Sequence, residues 1–248
     1  MERRFAETVL DNLSDQDYQW LHTIALRTTE QLLDQLLARN VLDPTGSLPK
    51  PGEIDDEKDC REATLRRVKA AQVLGALCAE VAGEVTTHEA ANAVWLGASL
   101  ADLGSASGST RQAARKRWPD LGQIYRMRRF LSGHHEDIRT VAGELITCRD
   151  GFRPKDDVTP ATLDAAYQAL IRTNVQLMED KESGTMVATG ETGDQRVIRW
   201  QRWNELVDKD IRTLVEVVQP TDSDTDYVLS GAVGLLAHYD SISTPSTP

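Results

Sequence analysis

GASLADLGSASGSTRQAARKRW, residues 97–118, decides how the rest of this chain is read. Ser99 is a good N-cap for a short helix whose buried side carries Leu100 and Leu103. Ala101 and Gly104 are small enough to let a neighbouring helix approach. Gly108 supplies the permissive backbone needed to turn the chain. Ser109 or Thr110 then caps a second helix that runs to Trp118 and stops at Pro119. On it, Ala113, Ala114 and Trp118 are expected to face inward. Thr110, Arg111, Gln112, Arg115 and Lys116 are left on the outer side, and these are side-chain types that contact phosphates and base edges. Two short helices joined by a tight turn, the second loaded with positive charge, make a helix-turn-helix.

Working outward, charge placement supports a polyanionic partner. Between residues 104 and 131, Arg111, Arg115, Lys116, Arg117, Arg126, Arg128 and Arg129 face Asp120 alone, in a chain whose net charge is −11. An acidic protein that gathers its positive charge beside one recognition motif keeps a local field suited to nucleic acid. The acidity elsewhere argues against indiscriminate coating of DNA.

The run T-R-Q-A-A-R-K-R-W, preceded by G-A-S-L-A-D-L-G, resembles the helix-turn-helix of bacterial regulators in the sigma-factor-like and MerR-like groups. The likeness covers about two dozen of 248 residues. It departs from the pattern at Ser107 and Ser109, which replace apolar residues around the turn glycine and imply a looser or covered turn. The resemblance implies that the second helix enters the major groove. It assigns base reading to Thr110, Arg111, Gln112 and Arg115, and phosphate contact to Lys116 and Arg117. The basic segment around Arg126, Arg128 and Arg129 is expected to clamp the flanking backbone of double-stranded DNA.

The rest of the chain reads as helical nearly throughout, so the expected class is all-α. Residues 1–42 contain a long helix opened by Ser14, with Leu21, Ile24, Leu32, Leu33, Leu36 and Leu37 at helical spacing. Residues 43–59 are rich in Pro, Gly and acid and read as a linker. A second long helix is expected from Cys60 to Gly83, with Ala63, Val68, Leu74, Leu77 and Val81 as its apolar stripe. Thr87 would then cap a separate helix, His88 to Leu96, completing a DNA-binding unit over 60–131. The two long helices either pack on that unit or form a dimer arm.

Residues 132–240 read as a second helical module for oligomerisation, an effector or a protein partner. Ser132 opens its first helix, 149–160 is a linker candidate, and Thr159-Pro160 starts a helix that Ser183-Gly184 stops. Residues 185–199 form a small hairpin or a loop, with the loop favoured. Further helices span about 194–218 and 223–239, and 241–248 is expected to be a disordered tail.

The remaining constellations carry little chemistry. His134 and His135 are adjacent, so they point to different sides of a helix and make a poor metal pair. The serine- and glycine-rich 104–109 lacks the Lys ending of a phosphate loop. Asp222, Asp224 and Asp226 lack the glycine and distal Glu of a calcium loop. Trp200 and Trp203 fit core or interface packing better than base stacking. No cofactor, metal or catalytic grouping is expected. Three scattered cysteines, no apolar run long enough to span a membrane and no secretory signal suit a reduced cytoplasm, here the nucleoid. Arg outnumbers Lys 21 to 7, which suggests a GC-rich bacterial genome. The expectation is a homodimeric transcriptional regulator. A nucleoid-associated or replicon-maintenance DNA organiser, or a protein-interaction adaptor with a structural helix-turn-helix, are the alternatives.

Overall fold

In the computed structural model, residues 13–39, 57–182 and 192–243 are described. The fold is all-α, with one short two-stranded ribbon among the described residues. It divides into two compact units, 1–88 and 89–248. No helix among the described residues is long and apolar enough to cross a membrane. Most of the 43–59 linker, the stop at Ser183-Gly184, residues 185–191 and the tail from 244 onward lie outside the described residues.

The first unit holds helix α1 (Asp15–Ala38) and most of helix α2 (Glu57–Trp95). Ser14 caps α1 by accepting the Asp17 amide at 3.2 Å. The core of this unit is small. Leu33 meets Ala70 and Leu74, with Leu36 and Leu37 at its edge, and Arg67 pairs with Asp34 at 2.9 Å. The rest of the expected apolar stripe, Val68, Leu77 and Val81, stays exposed. The expected break before Thr87 is absent, because α2 runs unbroken through Gly83, Thr86 and Thr87. Both threonine hydroxyls donate back to carbonyls four residues earlier, Thr86 to Ala82 and Thr87 to Gly83. Back-bonded in this way, a threonine sits inside a helix instead of capping one.

In the second unit, α3 (Leu100–Ala106) and α4 (Arg111–Arg117) form the helix-turn-helix, and α5 (Leu121–Thr147) follows directly. α5 replaces the expected basic segment and separate helix from Ser132. It is one element kinked at His134, where φ is −125° and ψ is 16°. The expected boundary between 131 and 132 therefore falls inside a helix, and the two sides of it belong to one compact unit. The kink is packed: the His134 ring stacks on Phe130 at 4.5 Å and meets His238 edge-on at 4.9 Å.

Around α5 lie α6 (Pro160–Glu182), α7 (Gly193–Glu205), a π-helical turn at Leu206–Ile211, α8 (Arg212–Val217) and α9 (Ser223–Ser243). Their core includes Leu131, Ile138, Leu145, Tyr167, Leu170, Leu206, Ile211, Leu214 and Tyr239, with Trp200 and Trp203 packed against it. Thr159 accepts the Thr162 amide ahead of Pro160, a start the sequence announces. The 149–160 linker is instead structured. Strand β1 (Phe152–Pro154) pairs antiparallel with β2 (Val218–Pro220), and Phe152 is buried. α9 extends through Ser243, so 241–243 belong to the helix and not to a tail.

One buried acid stands out in the π-helical turn. Asp210 is 3% exposed, and its Oδ2 has no hydrogen-bond partner among the described residues. Burial holds its carboxyl above the ordinary range, against a hydrogen bond with Thr173 that pulls the other way. A raised folded-state pKa means that the folded protein prefers the proton. The penalty is absent below the unfolded value of about 3.9 and grows as pH rises through the folded value. Asp210→Asn should therefore gain stability relative to the parent as pH rises above about 4, and the gain should level off once the folded-state carboxyl is ionised. Denaturant unfolding at several pH values checks this; a constant difference across the range would contradict it.

Candidate nucleic-acid interface

The helix-turn-helix is assembled from the residues its sequence singles out. Ser99 and Asp102 form a reciprocal capping box, the Ser99 hydroxyl accepting the Asp102 amide and the Ser99 amide donating to the Asp102 carboxylate. The Ser99 amide, with the Ser99 hydroxyl donating to the same carboxylate at 2.8 Å, holds the Asp102 carboxyl below its usual range. Gly108 has φ of +61°, the left-handed region that favours glycine. Thr110 is the second cap, its hydroxyl oxygen accepting the Ala113 amide at 3.2 Å. The crossing is tight at Gly104: a Cβ there would lie 2.9 Å from the Ser109 carbonyl oxygen and 3.0 Å from the Arg111 nitrogen. Ala101, expected at the same crossing, is exposed.

The polar turn is closed by its own hydroxyls. Ser107 Oγ donates to the Leu103 carbonyl at 2.7 Å and lies 2.9 Å from Ser109 Oγ, while the Ser109 amide donates to the Gly104 carbonyl at 2.7 Å. Side-chain bonds do what apolar residues do in the pattern this segment resembles. The looseness expected of a turn with serines at these two positions is not found.

Beneath the turn sits a compact core. Leu103, Ala114, Trp118 and Leu121 close over Ala90 and Val94 of α2, with Ile124 and Tyr125 packed alongside. Ala114 is 0% exposed and Trp118 6%. Ala113 is exposed, contrary to expectation, because a two-turn helix packed through Ala114 and Trp118 turns its neighbour outward. Thr110, Arg111, Gln112, Arg115, Lys116 and Arg117 are all exposed. Thr110, Gln112, Ala113, Arg115 and Lys116 line a shallow depression on that side. Arg117 also lies against the Trp118 ring, 4.9 Å from its centroid.

The basic segment divides. Arg129 is exposed. Arg126 donates through Nε to the Ile242 carbonyl at 2.8 Å. Arg128 donates through Nε to the Trp95 carbonyl at 2.8 Å and lays its guanidinium over Trp200, 3.3 Å from the ring centroid. Burial, and then Arg199, lower the Arg128 pKa to about 10. These contacts make Arg128 a packing residue, and the reading of it as a backbone clamp is withdrawn. Sequence reasoning missed this role because the carbonyl and the indole lie far along the chain on other helices.

His134 and His135 do not converge on a ligand. Their Nδ1 atoms lie against the Phe130 and Ser132 carbonyls, and no cluster suited to a metal ion occurs among the described residues. The chain matches no family model, no curated protein and no solved structure.

Proposed function

We propose that this chain is a sequence-specific, double-stranded-DNA-binding protein acting as a bacterial transcriptional regulator, with α4 seated in the major groove. One observation carries the reading. α4 is anchored through Ala114 and Trp118, and a two-turn helix fixed in this way offers Arg111, Gln112, Arg115 and Lys116 together to solvent. That combination supplies bidentate donors for guanine, an amide for adenine and point charges for phosphate. Thr110 keeps its hydroxyl proton for donation while its oxygen serves the cap. Arg117 and Arg129 are phosphate candidates, with Arg126 at the margin. Two copies would double the contacts of a short recognition helix.

Selection of binding sites from random duplexes, followed by salt titration on the enriched and the random DNA, tests the proposal. A recurring motif bound about 10³-fold or more above random DNA supports it. No binding at low salt removes it, and protection that spreads with concentration points to a DNA organiser. On the enriched site, Arg111→Ala should cost about 1–3 kcal/mol and relax base preference at one position. An equal loss on every sequence would make Arg111 a phosphate contact.

A further inference from the structure

The first unit leaves most of its apolar surface uncovered. On α1, Trp20, Leu21, Ile24, Leu26 and Leu32 are exposed, and on α2 so are Leu65, Val68, Val73, Leu77, Val81 and Val85. Two helices whose buried contact among the described residues is Leu33, Ala70 and Leu74 do not bury enough to stand as an isolated pair.

The charges on α2 identify what fits there. Residues 61–69 carry Arg61, Arg66, Arg67 and Lys69 against Glu62 alone. Residues 70–88 carry Glu80 and Glu84 and no Lys or Arg. One end of this stretch is basic and the other acidic. Turned end for end about Gly75, α2 brings Arg66 level with Glu84 and Lys69 within one residue of Glu80, all four on one side of the helix. The same reversal sets Val73 level with Leu77, two exposed residues four apart on the same side of the helix as those charges. A twofold interface requires a patch complementary to itself, and this stretch has that property in its charges, with Val73 and Leu77 meeting at the centre. Parallel pairing would instead set like charges together.

We infer that residues 15–88 form a dimerisation arm in which α2 packs antiparallel against α2 of a second copy, flanked by the two α1 helices. This inference stands independently of DNA binding.

Light scattering coupled to size exclusion on the full chain tests it. The expected mass is twice the 27.5 kDa of one chain. Leu77→Glu combined with Val81→Glu should halve the mass, while thermal unfolding still reports a folded second unit. Two charge variants guard against simple misfolding. Arg61→Glu/Arg66→Glu/Lys69→Glu makes the whole stretch acidic, and Glu80→Lys/Glu84→Lys makes it basic. Each alone should run as a monomer, and an equimolar mixture should return to the dimer mass. A monomeric parent at tens of micromolar would overturn the inference and leave the face to a different partner. A dimer mass that survives the Leu77/Val81 change would overturn it equally, by placing the contact elsewhere.

Discussion

Replacing Arg128 with alanine should lower the stability of the second unit by about 3 kcal/mol. The loss combines a charged hydrogen bond, about 1.5–3 kcal/mol, with a desolvated cation–π contact, about 2 kcal/mol, offset by release from the cost of burying the charge. The Trp95 carbonyl loses its donor and Trp200 loses its cover. Lysine is no substitute. Its ammonium cannot lie flat on the indole while donating sideways to a carbonyl, so Arg128→Lys should recover less than half of the loss. Denaturant unfolding measures both variants. The DNA readout discriminates further: a true phosphate clamp would cut the salt slope by about one unit with stability unchanged. That pattern would refute the packing role assigned here.

Gly104 is the other position where a small change should have a large effect. An added methyl meets backbone atoms of Ser109, Thr110 and Arg111, and a backbone cannot rotate aside as a side chain can. Gly104→Ala should cost about 2 kcal/mol and Gly104→Val more, as the turn is forced open. Because Arg111 begins α4, the shift also re-aims that helix. Sequence discrimination on DNA should fall more steeply than total binding. Ala101→Val, on the exposed side of the same helix, is the control and should stay within about 0.5 kcal/mol of the parent. Parity between the Gly104 and Ala101 variants would mean that the crossing tolerates a side chain.

The sequence was most readable where one residue type has one local use. Ser99, Gly104, Gly108, Thr110 and Pro119 mark the helix-turn-helix because caps, close approaches, left-handed turns and stops are chemistry within a few residues. Thr159-Pro160 is legible for the same reason. Where the outcome depends on distant partners, the sequence was silent or misleading. Gly83, Thr86 and Thr87 look like a break, yet threonine hydroxyls can bond backward and let a helix continue. Phe152–Pro154 is too short for any alternation to appear, and its strand partner lies at 218–220. The arginines of 126–129 share one residue type and have separate fates, since charge alone does not reveal whether an indole or a carbonyl waits nearby.

α5 also bears on how this protein can be divided. Ile124 packs against the helix-turn-helix core and against the main core of the second unit, and Phe130 and Leu131 follow on the same rod. A fragment ended at Leu131 would strip those side chains of their cover, and Arg126 would lose the Ile242 carbonyl it holds. The helix-turn-helix is thus not a cassette that can be lifted out and grafted onto another chain. The smallest transferable piece begins near Glu89 and extends to Ser243.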